Sequence, residues 1–232
     1  MFLGSFNSKM ETKDQAGTYV RFPGEIVVIN SLSEVDGALA KVQGVTILGF
    51  DTEWRPERNK FQVHQVAMLQ LATPSVVLLF RLCKMKAFPL NLANILASNS
   101  VAKVGIGSER DSDKLVKLHH VPVKNVIDIS DLAKQLGYKR PGLKGLSEDL
   151  FNANLSKHEA RTNWEKSELS AAQIMYAATD AWVSMQLYSR LCTETIHRII
   201  DFHLNPPDSV VSLESTSSVS SVAKPYLDPN FL

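Results

Sequence analysis

The sequence predicts an α/β domain in which helices flank both faces of a mixed β-sheet. Several β-branched and apolar runs come before the first clear helical crossover, and strand and helix patterns then alternate, which favours a mixed sheet. The 232 residues are 44% hydrophobic and 21% charged, which is ordinary for a chain that buries a core. Apolar stretches such as 76–80 are far shorter than the roughly 20 residues of a membrane span, so we expect them inside a globular core.

The first half of the chain is predicted to supply four strands and one helix. The strands are expected over 25–30, 45–50, 64–72 and 75–80. Thr73-Pro74, between the last two, indicates a hairpin turn. The helix is expected over 33–42, where apolar residues recur at helical spacing and Ser33 is the expected N-cap.

The second half is predicted to add one strand and four helices. The helices are expected over 90–97, 109–119, 129–136 and 170–191, and the strand over 101–106. Ser170 and Gln173 form a capping-box pattern that marks the start of the last helix. The stretch before that helix is expected to be rich in loops, because proline and glycine interrupt it at positions 141, 142 and 145.

Composition divides the chain into three parts. Residues 1–24 are predicted to be a flexible lead-in, 25–204 the folded domain, and 205–232 a disordered tail. The tail holds four of the ten prolines and a serine-rich run over 209–221, so it buries too little apolar surface to offset its ordering entropy. Its last residues, 226–232, are a candidate contact for a protein partner.

Charge and cysteine content limit the classes of function. A formal net charge of +1 excludes a polycation that binds nucleic acid through bulk charge. The two cysteines, Cys83 and Cys192, cannot staple a fold of this size or form a CxxC zinc motif, and they fit a reducing compartment. The first two dozen residues lack the long apolar segment of a secretory signal. We therefore expect a nuclear and/or cytoplasmic protein with no membrane partner.

Acidic residues carry the candidate chemistry. Asp51 and Glu53 lie at the end of an apolar strand, where residues two apart point to the same face at about 6–7 Å. Two such carboxylates repel when both are ionised, so each raises the pKa of the other, and a divalent cation removes the cost of this repulsion. The alternative is a solvated strand end with two unrelated acids, because Asp-x-Glu is a common triplet.

A third acid follows the strand predicted over 101–106. Gly105-Ile106-Gly107 leads into a helix that carries Asp111. A Gly-x-Gly at such a junction suggests a dinucleotide-binding fingerprint, but Arg110 stands where the third glycine is required. A nucleotide-cofactor site is therefore disfavoured, and Asp111 could simply complement the helix dipole.

The last candidate pair is Tyr176 and Asp180 in the final predicted helix. Residues four apart share a helix face, with about 5–6 Å between Cβ atoms. Taken alone, the pair favours a plainer interpretation, a half-buried tyrosine beside an incidental acid.

Together these groups resemble one family, the DnaQ-like 3′–5′ exonucleases, and within it the DEDDy group that includes Werner-type exonuclease domains. The resemblance rests on Phe-Asp-x-Glu-Trp at 50–54, Gly-x-Gly-x-Glu-x-Asp at 105–111 and Tyr-Ala-Ala-x-Asp-Ala at 176–181. Further matches are 66–71 and Thr162-Asn163-Trp164, and the resemblance runs from about residue 25 to 191. Arg110 departs from the glycine often seen before the motif aspartate, so Asp113 is the alternative to Asp111.

The resemblance implies a ribonuclease-H-like fold and a two-metal-ion hydrolysis at the 3′ ends of DNA and/or RNA, with nucleoside 5′-monophosphates as products. Asp51, Glu53, Asp111 and Asp180 would bind two Mg²⁺ or Mn²⁺ ions, and Tyr176 would orient the attacking water. A free phenol has a pKa of about 10, so the metal ions must supply most of the activation. The alternative function is a catalytically idle nucleic-acid-binding or scaffolding module of the same fold. Idle relatives tend to lose one of these residues, and all five are present.

Candidate contacts to the nucleic acid come from two stretches. Those after the first motif are Trp54, Arg55 and Arg58, and those before the last helix are Lys144, Lys157 and Arg161. Trp54 could stack on a base or belong to the core beneath the site. The basic residues could follow the phosphate backbone or form a solvated surface.

Overall fold

The computed structural model describes residues 19–59 and 61–205. The rest of the predicted lead-in, before residue 19, and the predicted tail from 206 onward lie outside the described residues. The chain divides into two compact units, Met1–Cys192 and Thr193–Leu232. The first unit contains the sheet and both hydrophobic cores. Of the second, the described residues 193–205 are almost entirely helical.

Six strands form one mixed sheet in the order β1-β4-β3-β2-β5-β6. They are β1 Glu25–Ile29, β2 Ile47–Glu53, β3 Met68–Ala72, β4 Val76–Phe80, β5 Ala102–Gly105 and β6 Val126–Asp128. Strand β3 is antiparallel to its neighbours β2 and β4. The pairs β1–β4, β2–β5 and β5–β6 are parallel. The predicted mixed sheet is therefore confirmed, as is the hairpin between β3 and β4.

The described residues form six α-helices, which cover both faces of the sheet. They are α1 Leu32–Leu39, α2 Leu90–Ala97, α3 Ser108–His119, α4 Ile129–Gln135, α5 Leu143–Phe151 and α6 Ala171–Leu204, with 3₁₀ turns at Ala40–Val42 and Leu82–Lys84. Helices α4, α5 and α6 bury residues in one core, and α1, α2 and α3 bury residues in the other. None of the helices in this part of the chain combines the length and apolarity needed to cross a membrane.

Helix α5 lies in the stretch predicted to be loop-rich. Leu143, Leu146 and Leu150 have the spacing of one helix face, and Leu146 is fully buried. Gly142 is the N-cap, so the proline and glycine at 141–142 precede the helix and do not interrupt it. Gly145 lies inside the helix. The position needs glycine because a Cβ there would overlap the backbone of Arg140. Strand β6 was also not predicted. It has only three residues, too few to show a periodic pattern in the sequence.

The described end of the predicted lead-in is packed onto the core. Val20 and Phe22 are only 4% and 3% exposed. The Val20 N–H donates to the Asn154 carbonyl at 2.9 Å, and the Phe22 N–H donates to Thr179 Oγ1 at 3.1 Å. The expectation of flexibility was wrong for these residues, because two apolar side chains and two backbone hydrogen bonds hold the segment.

The observed start of α6 agrees with the prediction, whereas the observed start of α1 differs from it. The N-cap of α1 is Ser31, two residues before the predicted Ser33, and Glu34 accepts a bond from the Asn30 N–H at 2.7 Å. The capping box of α6 is confirmed, since Ser170 and Gln173 exchange two hydrogen bonds of 3.1 Å. Helix α6 continues to Leu204, beyond the predicted end at 191.

A glycine lets α6 lie directly on β2. A Cβ at Gly49 would overlap the carbonyl of Ala181 in α6, so the backbone of the helix approaches closer than any side chain would allow. Asp51 lies two residues after Gly49 on the same face of the strand, and Asp180 precedes Ala181. The close contact therefore brings these two acids together.

Candidate active site

Strand β2 and helices α3 and α6 bring the four predicted carboxylates into one cluster. Burial raises the pKa of Asp51 well above its ordinary value, and the charges of Asp111 and Asp180 raise it further. Burial also raises the pKa of Glu53 to about 10, with contributions from Asp51, Asp180 and Asp111. Each acid is therefore close enough to disfavour the ionisation of another.

The pKa values of the other two acids, Asp111 and Asp180, are raised less than that of Glu53, because hydrogen bonds and nearby cations favour their ionised forms. Burial raises the pKa of Asp111 to about 7, although a hydrogen bond from Thr52 and the charge of Arg110 favour its ionised form. Burial likewise raises the pKa of Asp180 to about 7, opposed by a hydrogen bond from Tyr176 and by Lys157. Protein atoms crowd Asp51 and Asp180, yet both residues remain partly accessible. The cluster is recessed but open to solvent.

The structure distinguishes Asp111 from its alternative, Asp113. Asp111 is 6% exposed, and its Oδ1 accepts a bond of 2.8 Å from Thr52 Oγ1. The Asp113 side chain is 68% exposed and pairs with Lys117 at 2.9 Å on the outside of α3. Asp111 therefore belongs to the acid cluster, and Asp113 does not.

The glycines before Asp111 shape a turn from strand to helix. Gly105 packs against the carbonyl of Phe50, where a Cβ would overlap. Gly107 has a φ of 72° at the N-cap of α3, in the left-handed region that favours glycine. The two residues thus fix where α3 begins, which accounts for the Gly-x-Gly pattern without a dinucleotide.

Tyr176 is held as a neutral phenol beside Asp180. Burial, the charge of Asp180 and its hydrogen bond with Asp180 all raise the pKa of Tyr176 above its ordinary value. The ring packs 6.1 Å from the ring of Trp164, which is completely buried. The segment before Trp164 is tied to α6, because Gln173 Nε2 donates to Thr162 Oγ1 at 2.8 Å. The phenol therefore has a fixed position at the cluster.

A cleft of about 790 Å³ opens at Tyr176 and Asp180. Three of the predicted substrate contacts, Lys144, Lys157 and Arg161, line it together with Arg140.

Nearby acidic side chains offset part of the positive charge that Arg140 and Lys144 bring to the cleft. Arg140 pairs with Glu148 at 2.6 Å and with Asp149, and Lys144 lies 3.7 Å from Glu148. Within residues 19–59 and 61–205, neither Lys157 nor Arg161 forms a salt bridge.

The other three predicted contacts lie on the loop after β2, and none is among the described residues that line this cleft. Trp54 is half-buried under two cations of α3, with Lys114 Nζ 4.2 Å and Arg110 Cζ 5.1 Å from its ring centroid. Arg55 lies 3.8 Å from Glu165, and Arg58 is exposed. The contact of Trp54 with Arg110 and Lys114 attaches the loop after β2 to α3.

Sequence reasoning missed two buried threonines that are adjacent in sequence to the site acids. Thr52 is 4% exposed and donates to Asp111, as described above. Thr179 is equally buried; its Oγ1 donates to the Met175 carbonyl at 2.7 Å and accepts the bond from Phe22. A polar residue between two acids at the end of a buried strand was the only signal that could have found Thr52.

The clustered acids have the donor chemistry of a hard cation site, but their present spacing is not that of a metal site. Among the described residues, no three Asp, Glu, His or Cys side chains are arranged to hold a metal ion as they stand. Four carboxylates that raise one another's pKa repel when ionised, and this repulsion opposes close approach. The carboxylate oxygens themselves are the ligands that Mg²⁺ and Mn²⁺ prefer.

Two solved structures have the same fold at low sequence identity. The exonuclease domain of Aedes aegypti Nibbler matches with a TM-score of 0.66 and 20% identity, over 75% of this chain and 89% of that one. Escherichia coli RNase D, described as an exoribonuclease involved in structured RNA processing, matches with a TM-score of 0.67 and 22% identity, over 75% and 46%. The sheet order and these two structures assign the chain to the ribonuclease-H-like fold class.

Sequence comparison identifies the family within that class. The family described as 3′–5′ exonuclease matches residues 26–196. The chain belongs to this family, as the three motifs predicted.

Three relatives show how much of their length the chain represents. A Drosophila melanogaster exonuclease 3′–5′ domain-containing protein 2 is 37% identical over 66% of this chain and 26% of its own length. An Arabidopsis thaliana 3′–5′ exonuclease is 37% identical over 74% and 65%. The mouse bifunctional 3′–5′ exonuclease/ATP-dependent helicase WRN is 27% identical over 90% and 16%. The chain spans less than two thirds of each of these proteins.

Proposed function

We propose that this chain is a metal-dependent exonuclease that removes nucleoside 5′-monophosphates from the 3′ ends of DNA or RNA. One observation carries the proposal: Asp51 is recessed beside Asp111 and Asp180, and each of those acids raises its pKa. Such a cluster is costly unless positive charge is brought to it. The membership of the 3′–5′ exonuclease family supports the direction of cleavage.

The four carboxylates fit two divalent cations. Asp51, Glu53, Asp111 and Asp180 offer only hard oxygen ligands, which suit Mg²⁺ or Mn²⁺. When bound, the cations would stabilise charge on the reacting phosphate and lower the pKa of water. Burial, and then the charges of Asp51, Asp180 and Asp111, raise the pKa of Glu53 to about 10, and bound cations would stabilise its ionised form.

Tyr176 would orient the attacking water and would not act as the base. Its hydroxyl proton is engaged by Asp180, and its pKa is raised, so it stays a phenol at neutral pH. With that proton donated to Asp180, the phenol oxygen can still accept a hydrogen bond from water. Thr52 would hold Asp111 in position, since its Oγ1 lies 2.8 Å from Asp111 Oδ1.

Lys157 and Arg161 are the strongest candidates for contacts with backbone phosphates. Both line the cleft that opens at Tyr176 and Asp180. The positive charge of Lys157 also lowers the pKa of Asp180, against the effect of burial. Lys144 shares the cleft but is partly neutralised by Glu148. Cationic side chains along a cleft bind phosphate without regard to base sequence.

The alternative is an idle nucleic-acid-binding module of the same fold. The retained cluster of four acids with Tyr176 argues against it, because a module that only binds phosphate has no use for buried negative charge.

A cleavage assay with a matched pair of variants tests the proposal. The substrates are 5′-labelled single-stranded DNA, single-stranded RNA and a recessed duplex, each with Mg²⁺, Mn²⁺ or EDTA. We expect the wild type and Asp113→Ala to shorten a substrate from its 3′ end with a divalent cation, and Asp51→Ala to leave it intact. Asp113→Ala is the control because it removes an exposed acid of α3.

Cleavage by Asp51→Ala at the wild-type rate, or equal cleavage in EDTA, would overturn the assignment of the metal site. Binding of every substrate without cleavage of any would favour the idle module.

A further inference from the structure

A glutamine lies in the core beside Asp51, and its side chain has no hydrogen-bond partner within residues 19–59 and 61–205. Gln70 of β3 is completely buried, and among the described residues both Nε2 and Oε1 are without a partner. Leaving a buried polar group unsatisfied costs about 1–3 kcal/mol. An apolar side chain of similar volume, such as methionine, would avoid that cost, so the amide needs a reason for its place.

The strand register places this amide next to the acid cluster. Gln70 is the cross-strand partner of Asp51 in the antiparallel pair β2–β3. Residues directly opposite in such a pair share a face and have Cβ atoms about 4.5–5.5 Å apart. Met68 and Ala72, two residues to either side, belong to the core beneath α6, so the Gln70 side chain also points to the face that carries Asp51.

The neighbouring polar groups leave the amide nitrogen available. The buried indole N–H groups of Trp164 and Trp182, in the same core, also have no partner in the part of the chain that the structure describes. An indole N–H is only a donor, so either tryptophan can use the amide oxygen alone. Leu79, the partner of Gln70 on the other side in β4, offers no side-chain polar atom. The Asp51 carboxylate, directly opposite on the neighbouring strand, is an acceptor that the amide nitrogen can use.

We infer that Gln70 is a positioning residue, whose amide N–H donates to the Asp51 carboxylate and orients it when the cluster binds divalent cations. The inference rests on the proposed function, because the Asp51 carboxylate needs orientation only if it binds cations. A carboxylate that ligates a metal is commonly held by a hydrogen bond from a neighbouring group, and losing that bond typically costs about 10–100-fold in metal affinity. The unsatisfied amide of the core then has a partner in the loaded site.

Mn²⁺ binding and thermal unfolding of a pair of variants test the inference. Gln70→Met removes the amide at similar volume, and Leu69→Met makes a comparable change in the same strand on the opposite face, in the core covered by α1, α2 and α3. Mn²⁺ binding is followed by electron paramagnetic resonance, without nucleic acid. We expect Gln70→Met to keep or raise the melting temperature and to bind Mn²⁺ about tenfold more weakly. Leu69→Met should bind it as the wild type does.

A result in which Gln70→Met unfolds at the same or a higher temperature and binds Mn²⁺ as tightly as Leu69→Met would overturn the inference. Failure of the wild type to bind Mn²⁺, or equal binding by Asp51→Asn, would overturn the proposed metal site and this inference with it. If Gln70→Met does not fold, the wild type still provides a test. On addition of Mg²⁺, the side-chain amide signals of Gln70 should shift in the wild type and stay unchanged in Asp51→Asn, and an unchanged wild-type signal would overturn the inference.

Discussion

In EDTA, the protein should lose stability as the pH rises from about 4 to about 7. The pKa of Asp180 is about 7 in the folded protein, against an ordinary value of 3.8. The folded state therefore binds this proton more tightly than the unfolded state. Below pH 3.8 both states are protonated and the difference is absent. Between the two pKa values the unfolded state releases its proton first, so unfolding becomes progressively more favourable.

The size of this effect follows from the two pKa values. Each tenfold difference in proton affinity corresponds to about 1.4 kcal/mol, so Asp180 alone accounts for roughly 4 kcal/mol between pH 3.8 and 7. Its partial access to water makes this an upper limit. Asp111 acts in the same direction, because its pKa is also raised from 3.8 to about 7. The trend is the reverse of the usual one for paired carboxylates, which stabilise the folded state as pH rises.

Urea unfolding in EDTA across pH 4.5–8 measures this slope. We expect the free energy of unfolding to fall with pH in the wild type and to fall less in Asp180→Asn, which cannot release this proton. Mg²⁺ should restore stability at pH 7–8, because a cation neutralises the ionised cluster. Parallel slopes for the wild type and Asp180→Asn would refute the assignment of a raised pKa to Asp180.

Two further substitutions test the framework of the site. Thr52→Val should lower kcat about 10–100-fold, because the hydrogen bond that it removes from the Asp111 carboxylate is worth about 1.5–3 kcal/mol; Thr52→Ser should retain activity, and equal rates for the two variants would contradict the role of the hydroxyl. Gly49→Ala should lower the free energy of unfolding by about 1–3 kcal/mol or more, because the new Cβ overlaps the Ala181 carbonyl. It should also reduce cleavage by displacing Asp180. In Gly37→Ala, the control, the Cβ meets no atom within 4 Å, and equal stability of the two alanine variants would contradict the packing argument.

Much of the fold could be predicted from the sequence, because its buried strands and long helices carry strong patterns. The apolar runs that became β2, β3 and β4 are buried on both faces, so their composition alone indicated core strands. The capping box at Ser170 marked the start of α6 because both of its hydrogen bonds are local in sequence. Glycine and proline before α5 hid that helix, since the same residues interrupt a helix and precede one.

Contacts between distant segments were the part that the sequence could not supply. The burial of Val20 and Phe22 depends on partners more than 100 residues away, Asn154 and Thr179. Lys103 was expected in a strand but not as a fully buried side chain. Its Nζ donates to the carbonyls of Ser98 and Val101 at 2.8 and 2.7 Å, which satisfies groups that follow α2. Local composition carries no trace of such partners.

The same distinction holds for the site. The sequence could single out Asp51, Glu53 and Asp180 as candidates because motif order and spacing are local patterns. Asp111 was preferred to Asp113 from the motif, and its burial and its contact with Thr52 separate the two in the structure. Gln70 could not be singled out, because its proximity to Asp51 is set by strand register.

Release of the terminal nucleotide tests the central claim most directly. An oligonucleotide labelled only in its 3′-terminal nucleotide is incubated with the wild type and Mg²⁺, and the earliest product is identified by chromatography. We predict that the label appears at once as a nucleoside 5′-monophosphate, while the rest of the strand is still nearly full length. Label retained in internal fragments, or released only after shortening from the 5′ end, would contradict a 3′–5′ exonuclease.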